Sequence, residues 1–100
     1  MIRNMLRKEF REAFKSVDIV ATPTAPFPAW KIGKKIDPLS TYLADIFTIT
    51  ANIVGIPAIS IPSGFVEEEG KQLPLGIQFM TSYGREDLLF RISRAFEEIK

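Results

Sequence analysis

Ala58-Ile59-Ser60-Ile61-Pro62-Ser63-Gly64-Phe65, then Glu67-Glu68-Glu69-Gly70-Lys71-Gln72, then Leu73-Pro74-Leu75-Gly76-Ile77-Gln78-Phe79-Met80-Thr81 is the stretch whose reading decides the fold. Its two outer runs are apolar and bounded by turn residues, so they predict strands over 58–65 and 73–81. The charged run between them predicts a hairpin turn, with Gly70 where a positive φ is needed. Consecutive glutamates cannot converge on one ion, so 67–69 reads as a solvated tip and not as a metal site. Beyond the hairpin, 85–100 predicts a helix: Glu86 and Asp87 fall in its first turn and Lys100 at its end. Leu88, Leu89, Ile92, Ala95, Phe96 and Ile99 lie along one face.

In the other direction, Asp37-Pro38 has the form of an N-cap followed by a first helical proline. Leu39, Tyr42, Leu43, Ile46, Phe47, Ile53 and Val54 continue at helical spacing to Gly55, and Pro57 follows as a stop. One helix over 37–55 is therefore expected, although Thr41, Thr48, Ile49, Thr50, Ile53 and Val54 are β-branched. Upstream, 24–36 is a loop punctuated by Pro26 and Pro28 and carrying Phe27 and Trp30. It reads either as a functional segment or as a connector whose aromatics pack on a neighbour. Residues 18–23, Asp-Ile-Val-Ala-Thr-Pro, predict a short buried strand. Residues 1–16 predict an amphipathic helix, its Arg and Lys residues forming either a basic patch or a solvated face. The order α-β-loop-α-β-β-α gives an α/β class: a small mixed sheet of about three strands covered by helices.

The 100 residues are 46% hydrophobic and 25% charged, which fits a globular chain. Thirteen basic against twelve acidic residues give a net charge of +1, without the basic footprint that nucleic-acid binding usually shows. The sequence has no histidine and no cysteine. Within these residues that excludes Ser-His-Asp and Cys-His relays, histidine or thiolate metal sites and disulfides. No apolar run approaches the roughly 18 to 20 residues of a membrane span, and the first residues lack a signal-peptide core. Cytoplasmic location is the expectation, with no direct nucleic-acid or membrane partner.

The predicted middle helix carries the most informative pattern. On a continuous helix, Thr41, Asp45, Thr48 and Asn52 share an arc of about 60°, beside the small residues Ala44, Ala51 and Gly55. Asp45 is the only charge after the cap, which predicts burial nearly all round. A carboxylate so placed must be paired or hydrogen-bonded. Asp45 then meets either a cationic group of a ligand or a partner inside the fold. Ser60 and Ser63 lie near a strand but outside any G-x-S-x-G elbow, and a lone serine is a weak nucleophile. Phosphate-cradling glycine motifs are absent.

Taken together, Phe10-x-x-Ala13-Phe14, Asp18-Ile19-Val20-Ala21-Thr22-Pro23-Thr24-Ala25-Pro26, the segment 37–48, the segment 52–64 and Leu73-Pro74-Leu75-Gly76-Ile77-Gln78 resemble the C-terminal part of the amidase signature family. Within it, the segment 37–48 points to the branch that serves as glutamine-hydrolysing subunits of tRNA-dependent amidotransferases. The resemblance implies that 1–100 is a single C-terminal segment of an amidase signature domain. It implies glutamine hydrolysis by a serine nucleophile, a second serine in a cis peptide and a lysine. The ammonia released converts Glu-tRNA(Gln) to Gln-tRNA(Gln), or Asp-tRNA(Asn) to Asn-tRNA(Asn), in a partner subunit that uses ATP and Mg²⁺. No Gly-Gly-Ser-Ser-type segment occurs here, so no catalytic residue and no cofactor is assigned to this chain. One position carries over, Asp45, which in the family binds the α-amino group of glutamine; Thr41, Thr48 and Asn52 are its expected pocket neighbours. Implied partners are glutamine and the other amidotransferase subunits, with homo-oligomerisation expected of a piece cut from a larger sheet. The alternatives are a segment of another amidase signature hydrolase and a non-catalytic α/β interaction module.

Overall fold

The computed structural model describes residues 2–30, 33 and 37–99. The expected hairpin is its centre: β2 (Ala58–Glu68) and β3 (Lys71–Met80) pair antiparallel from Ala58↔Met80 to Glu68↔Lys71. The strands run further than hydropathy indicated, leaving a turn of only two residues. Glu69 (φ 53°) and Gly70 (φ 77°) both take left-handed conformations, the geometry that matches the twist of flanking strands. Charged residues 67, 68, 71 and 72 read as loop by composition, yet main-chain pairing asks only for the right turn between them. The register slips between Pro62 and Gly64, where proline cannot donate to a ladder.

A short strand, β1 (Val20–Pro23), pairs with the other edge of β3, giving the order β1-β3-β2. The small sheet covered by helices is thus present, but every pairing is antiparallel, not mixed. The two-residue turn forces one pair, and β1 opposes β3 in the other. Thr81, fully buried, ties the three strand ends together. Its hydroxyl donates to the Asp18 carbonyl (2.9 Å) and its N–H to that of Pro57 (3.2 Å).

Helix α4 (Glu86–Ile99) covers one face of the sheet. Ile61, Phe79 and Leu89 form the buried centre, with Ile19, Ile59, Ile77, Ile92 and Phe96 packed around it. The Phe79 and Phe96 rings meet edge to face at 5.9 Å, a favoured aromatic geometry. Lys100, expected to end this helix, lies outside the described residues, as do positions 31, 32 and 34–36 of the long loop. Helix α1 (Ile2–Ala13) has no buried residue and packs at the rim against α3.

The expected single helix over 37–55 is two: α2 (Pro38–Ala44) and α3 (Ile49–Val54). Between them the chain tightens into three-residue hydrogen bonds, Asp45 N–H to Tyr42 O, Ile46 N–H to Leu43 O and Thr48 N–H to Asp45 O. Four of the five residues 46–50 are β-branched, and their crowding against the preceding turn outweighs the apolar period. The expectation of burial nearly all round is also overturned. Among the described residues of this segment only Ala51 and Val54 are buried, while Leu39 and Tyr42 are 65% and 67% exposed. The radius of gyration, 15.4 Å, exceeds the ~13 Å usual for a compact 100-residue domain. The molecule is a plate, 44 × 37 × 17 Å.

Candidate functional site

Opposite α4, the other face of the sheet carries its polar side chains. The pairing register sets Thr22, Gln78 and Ser60 in one row across the three strands. Buried Gln78 donates through Nε2 to Thr22 Oγ1 (3.1 Å) and to the carbonyl of Phe47 (2.9 Å). The second bond fastens the α2–α3 junction onto the sheet two residues from Asp45.

The junction itself is built from its caps. Asp37, in extended conformation, accepts from the Ser40 hydroxyl (2.7 Å) and the Ser40 N–H (3.1 Å), an N-cap at the start of α2. These bonds, the hydroxyl's first, hold the Asp37 carboxyl below its ordinary pKa. Pro38 is the first helical residue, as expected, and Asp45 closes α2 as its C-cap. Gly55 closes α3 in the left-handed conformation.

The four residues of the polar stripe no longer share one helix. Thr41 Oγ1 donates to the Asp37 carbonyl (3.2 Å), Thr48 Oγ1 to that of Asp45 (3.2 Å) and Asn52 Nδ2 to that of Thr48 (3.3 Å). Three of the four thus serve their own backbone. Asp45 differs: it is exposed, and among the described residues its carboxylate has no hydrogen bond or ion pair. The internal partner that a buried aspartate would require is therefore not part of this site.

Ala44, the preceding residue, lines a concavity of about 600 Å³ whose walls include Phe27, Trp30 and Leu75. The Phe27 and Trp30 rings pack on each other at 5.8 Å within the loop and together form a wall. On the floor, the hydroxyls of Thr24 and Ser60 meet at 2.6 Å. They come from either side of the central strand and touch above Gly76, where a Cβ would lie 2.8 Å from one oxygen and 3.0 Å from the other. Glycine is the residue that lets them meet. Sequence reading set Ser60 and Ser63 aside as structural, and both are hydrogen-bonded, Ser63 to the Leu75 carbonyl at 3.3 Å. What it missed was the partnership with Thr24, of which a glycine inside a strand was the one local sign.

Comparison with known proteins accords with this architecture. The A subunit of glutamyl-tRNA(Gln) amidotransferase from Akkermansia muciniphila is 53% identical over 91 residues, which are 90% of this chain and 19% of that protein. The A1 subunit of the Clostridium acetobutylicum enzyme of that name is 45% identical over 98 residues, 97% of this chain and 19% of its own. In the crystal structure of the glutamyl-tRNA(Gln) amidotransferase A subunit from Thermotoga maritima, 21% of the chain superimposes on 99% of this one, with a TM-score of 0.87 and 41% identity. A 6-aminohexanoate cyclic dimer hydrolase shares the fold at 23% identity and a TM-score of 0.76. The chain spans about a fifth of the length of these relatives. The family pattern described as Amidase matches residues 1–90, and the chain accordingly belongs to the Amidase family.

Proposed function

We propose that the chain is the C-terminal segment of the glutamine-hydrolysing subunit of a tRNA-dependent amidotransferase, and that it supplies part of the glutamine pocket without the catalytic triad. The ammonia made there converts Glu-tRNA(Gln) to Gln-tRNA(Gln), or Asp-tRNA(Asn) to Asn-tRNA(Asn); ATP and Mg²⁺ act in a partner subunit. The observation that carries this reading is Asp45: an exposed carboxylate with no partner among the described residues, beside the aromatic-walled cavity, on a junction that Gln78 holds to the sheet. A carboxylate without an internal partner is free to accept charge-assisted hydrogen bonds from the α-ammonium of glutamine. Thr41, Thr48 and Asn52 shape its surroundings through the turn they hold. In this reading the nucleophile, the second serine and the lysine lie outside these residues. None of the serine hydroxyl bonds among the described residues reaches a lysine.

The test is Asp45→Asn in this chain grafted in place of the matching fifth of the Thermotoga maritima protein and assembled with that enzyme's other subunits. Asparagine keeps the shape and removes the charge. Losing bonds worth about 1.5 to 3 kcal/mol lowers kcat/KM for glutamine by about 10- to 150-fold. An amide without an α-amino group is hydrolysed nearly as before, and the melting temperature is unchanged. If both substrates fall together and the melting temperature drops, Asp45 is structural and the reading fails. The ungrafted 100-residue chain serves as the blank, with no glutamine turnover expected of it.

A further inference from the structure

The sheet's hydroxyl-floored cavity belongs to the site already described, but a second concavity lies apart from it, between α1, the end of α3 and the residues after β3. It holds about 420 Å³, and its walls include Arg7, Phe10, Arg11, Phe14, Ser82 and Tyr83. Arg7 and Arg11 are one helical turn apart on α1 and so project from the same side. The Arg7 guanidinium is held in place: its Nε donates to the Val54 carbonyl (3.0 Å) at the end of α3. Its Nη2 lies against Gly55, 3.4 Å from where a Cβ would stand. One edge of the fork is thereby anchored and its outer N–H groups are left over. Among the described residues neither arginine makes an ion pair with a carboxylate, whereas Glu12 on the same helix is engaged by Lys15 at 3.1 Å. The Phe10 and Phe14 rings, 6.1 Å apart, supply an apolar wall beside the two cations.

We infer that this concavity binds an oxyanion borne on an aromatic body, the phosphate or carboxylate group between the two guanidinium forks and the ring against Phe10 and Phe14. Planar forks match such oxygens two at a time, and an anchored arginine loses little freedom on binding. Ser82 and Tyr83, which also line the concavity, carry the hydroxyl groups available as further donors.

Titration of the 100-residue chain with phenyl phosphate, benzoate and inorganic phosphate, followed by calorimetry and by backbone amide shifts, tests this. Phenyl phosphate or benzoate is expected to bind saturably, at least threefold tighter than inorganic phosphate, with shifts centred on 7–14 and 82–83. Which of the two binds tighter identifies phosphate or carboxylate as the natural group. Arg11→Gln is expected to weaken binding tenfold or more with little change in melting temperature, since that side chain has no hydrogen-bond or ion-pair partner among the described residues. Arg11→Lys recovers only part of the loss, because it restores charge without the fork. Lys8→Gln removes the same charge from the same helix outside the concavity and is expected to change affinity less than twofold. Equal losses in Lys8→Gln and Arg11→Gln, equal affinity for inorganic phosphate, or no saturable binding would each overturn the assignment.

Discussion

Gly76→Ala puts the cavity floor under direct strain. Its backbone needs no left-handed conformation, so the substitution acts through space alone. The new methyl lies 2.8 Å from Thr24 Oγ1, 3.0 Å from Ser60 Oγ and 3.2 Å from Thr24 Cβ. Two of these three atoms form the 2.6 Å hydroxyl pair, so they cannot both withdraw and stay bonded. Moving Thr24 also pulls on its N–H bond to the Gly76 carbonyl, 3.1 Å. Overpacking costs about 1 to 3 kcal/mol and the lost hydroxyl bond about 1, while restricting the unfolded chain returns about 0.4 to 1. The balance is a destabilisation of about 1 to 3.6 kcal/mol. For a chain of this size that lowers Tm by about 5 to 20 °C, readable by circular dichroism. The decisive comparison repeats Gly76→Ala in a Thr24→Ala background, where the nearest oxygen is gone. There the methyl should cost about 1 kcal/mol less, a coupling between contacting residues. A Tm that holds or rises, or equal costs in both backgrounds, refutes the account of why glycine occupies this position.

Ser93 carries a buried hydroxyl with no partner among the described residues, so Ser93→Ala should raise stability by about 1 kcal/mol; a loss in thermal unfolding would contradict this. The Asp37 carboxyl, held low by Ser40, should titrate below the ordinary 3.8 when followed by carbon NMR, and Ser40→Ala should bring its midpoint back up. Because the folded value lies below the unfolded one, the cap on α2 is complete above the ordinary carboxylate range and is lost only as pH falls through that lower value. A midpoint at or above 3.8 would remove the linkage. The isolated chain should self-associate, since Leu39, Tyr42, Phe65 and Phe90 are each more than 60% exposed; light scattering that shows a monomer at high concentration would count against it.

The hairpin was legible because its apolar strands and Gly70 are local signals, and α4 because its period is strong over fourteen residues. The helix at 37–55 misled because its apolar period persists across a stretch whose β-branched residues break it. Periodicity records which side is apolar, not whether the backbone stays wound. Asp45 stood out as a lone charge in a run of small and apolar residues, but its setting was misjudged. It sits exposed at a junction and not inside a covered helix. The Thr24–Ser60 contact spans 36 positions, and its one local sign, Gly76 inside a strand, names neither partner. Such contacts follow from register, and register across β1 is decided only when the chain returns.

That return has a consequence for the order in which contacts become available. The β2–β3 hairpin closes through two residues, whereas bringing Thr22 to Gln78 closes a loop of 56. Loop entropy rises by about 0.6 kcal/mol per doubling of length, and β1 offers only four residues of pairing to offset it. β1 is therefore the last strand to be secured and the first to be released, and Thr24 leaves with it. The hydroxyl floor beneath the cavity exists only in molecules that have completed the longest closure in the sheet, so a chain with a formed hairpin and a docked α4 still lacks it.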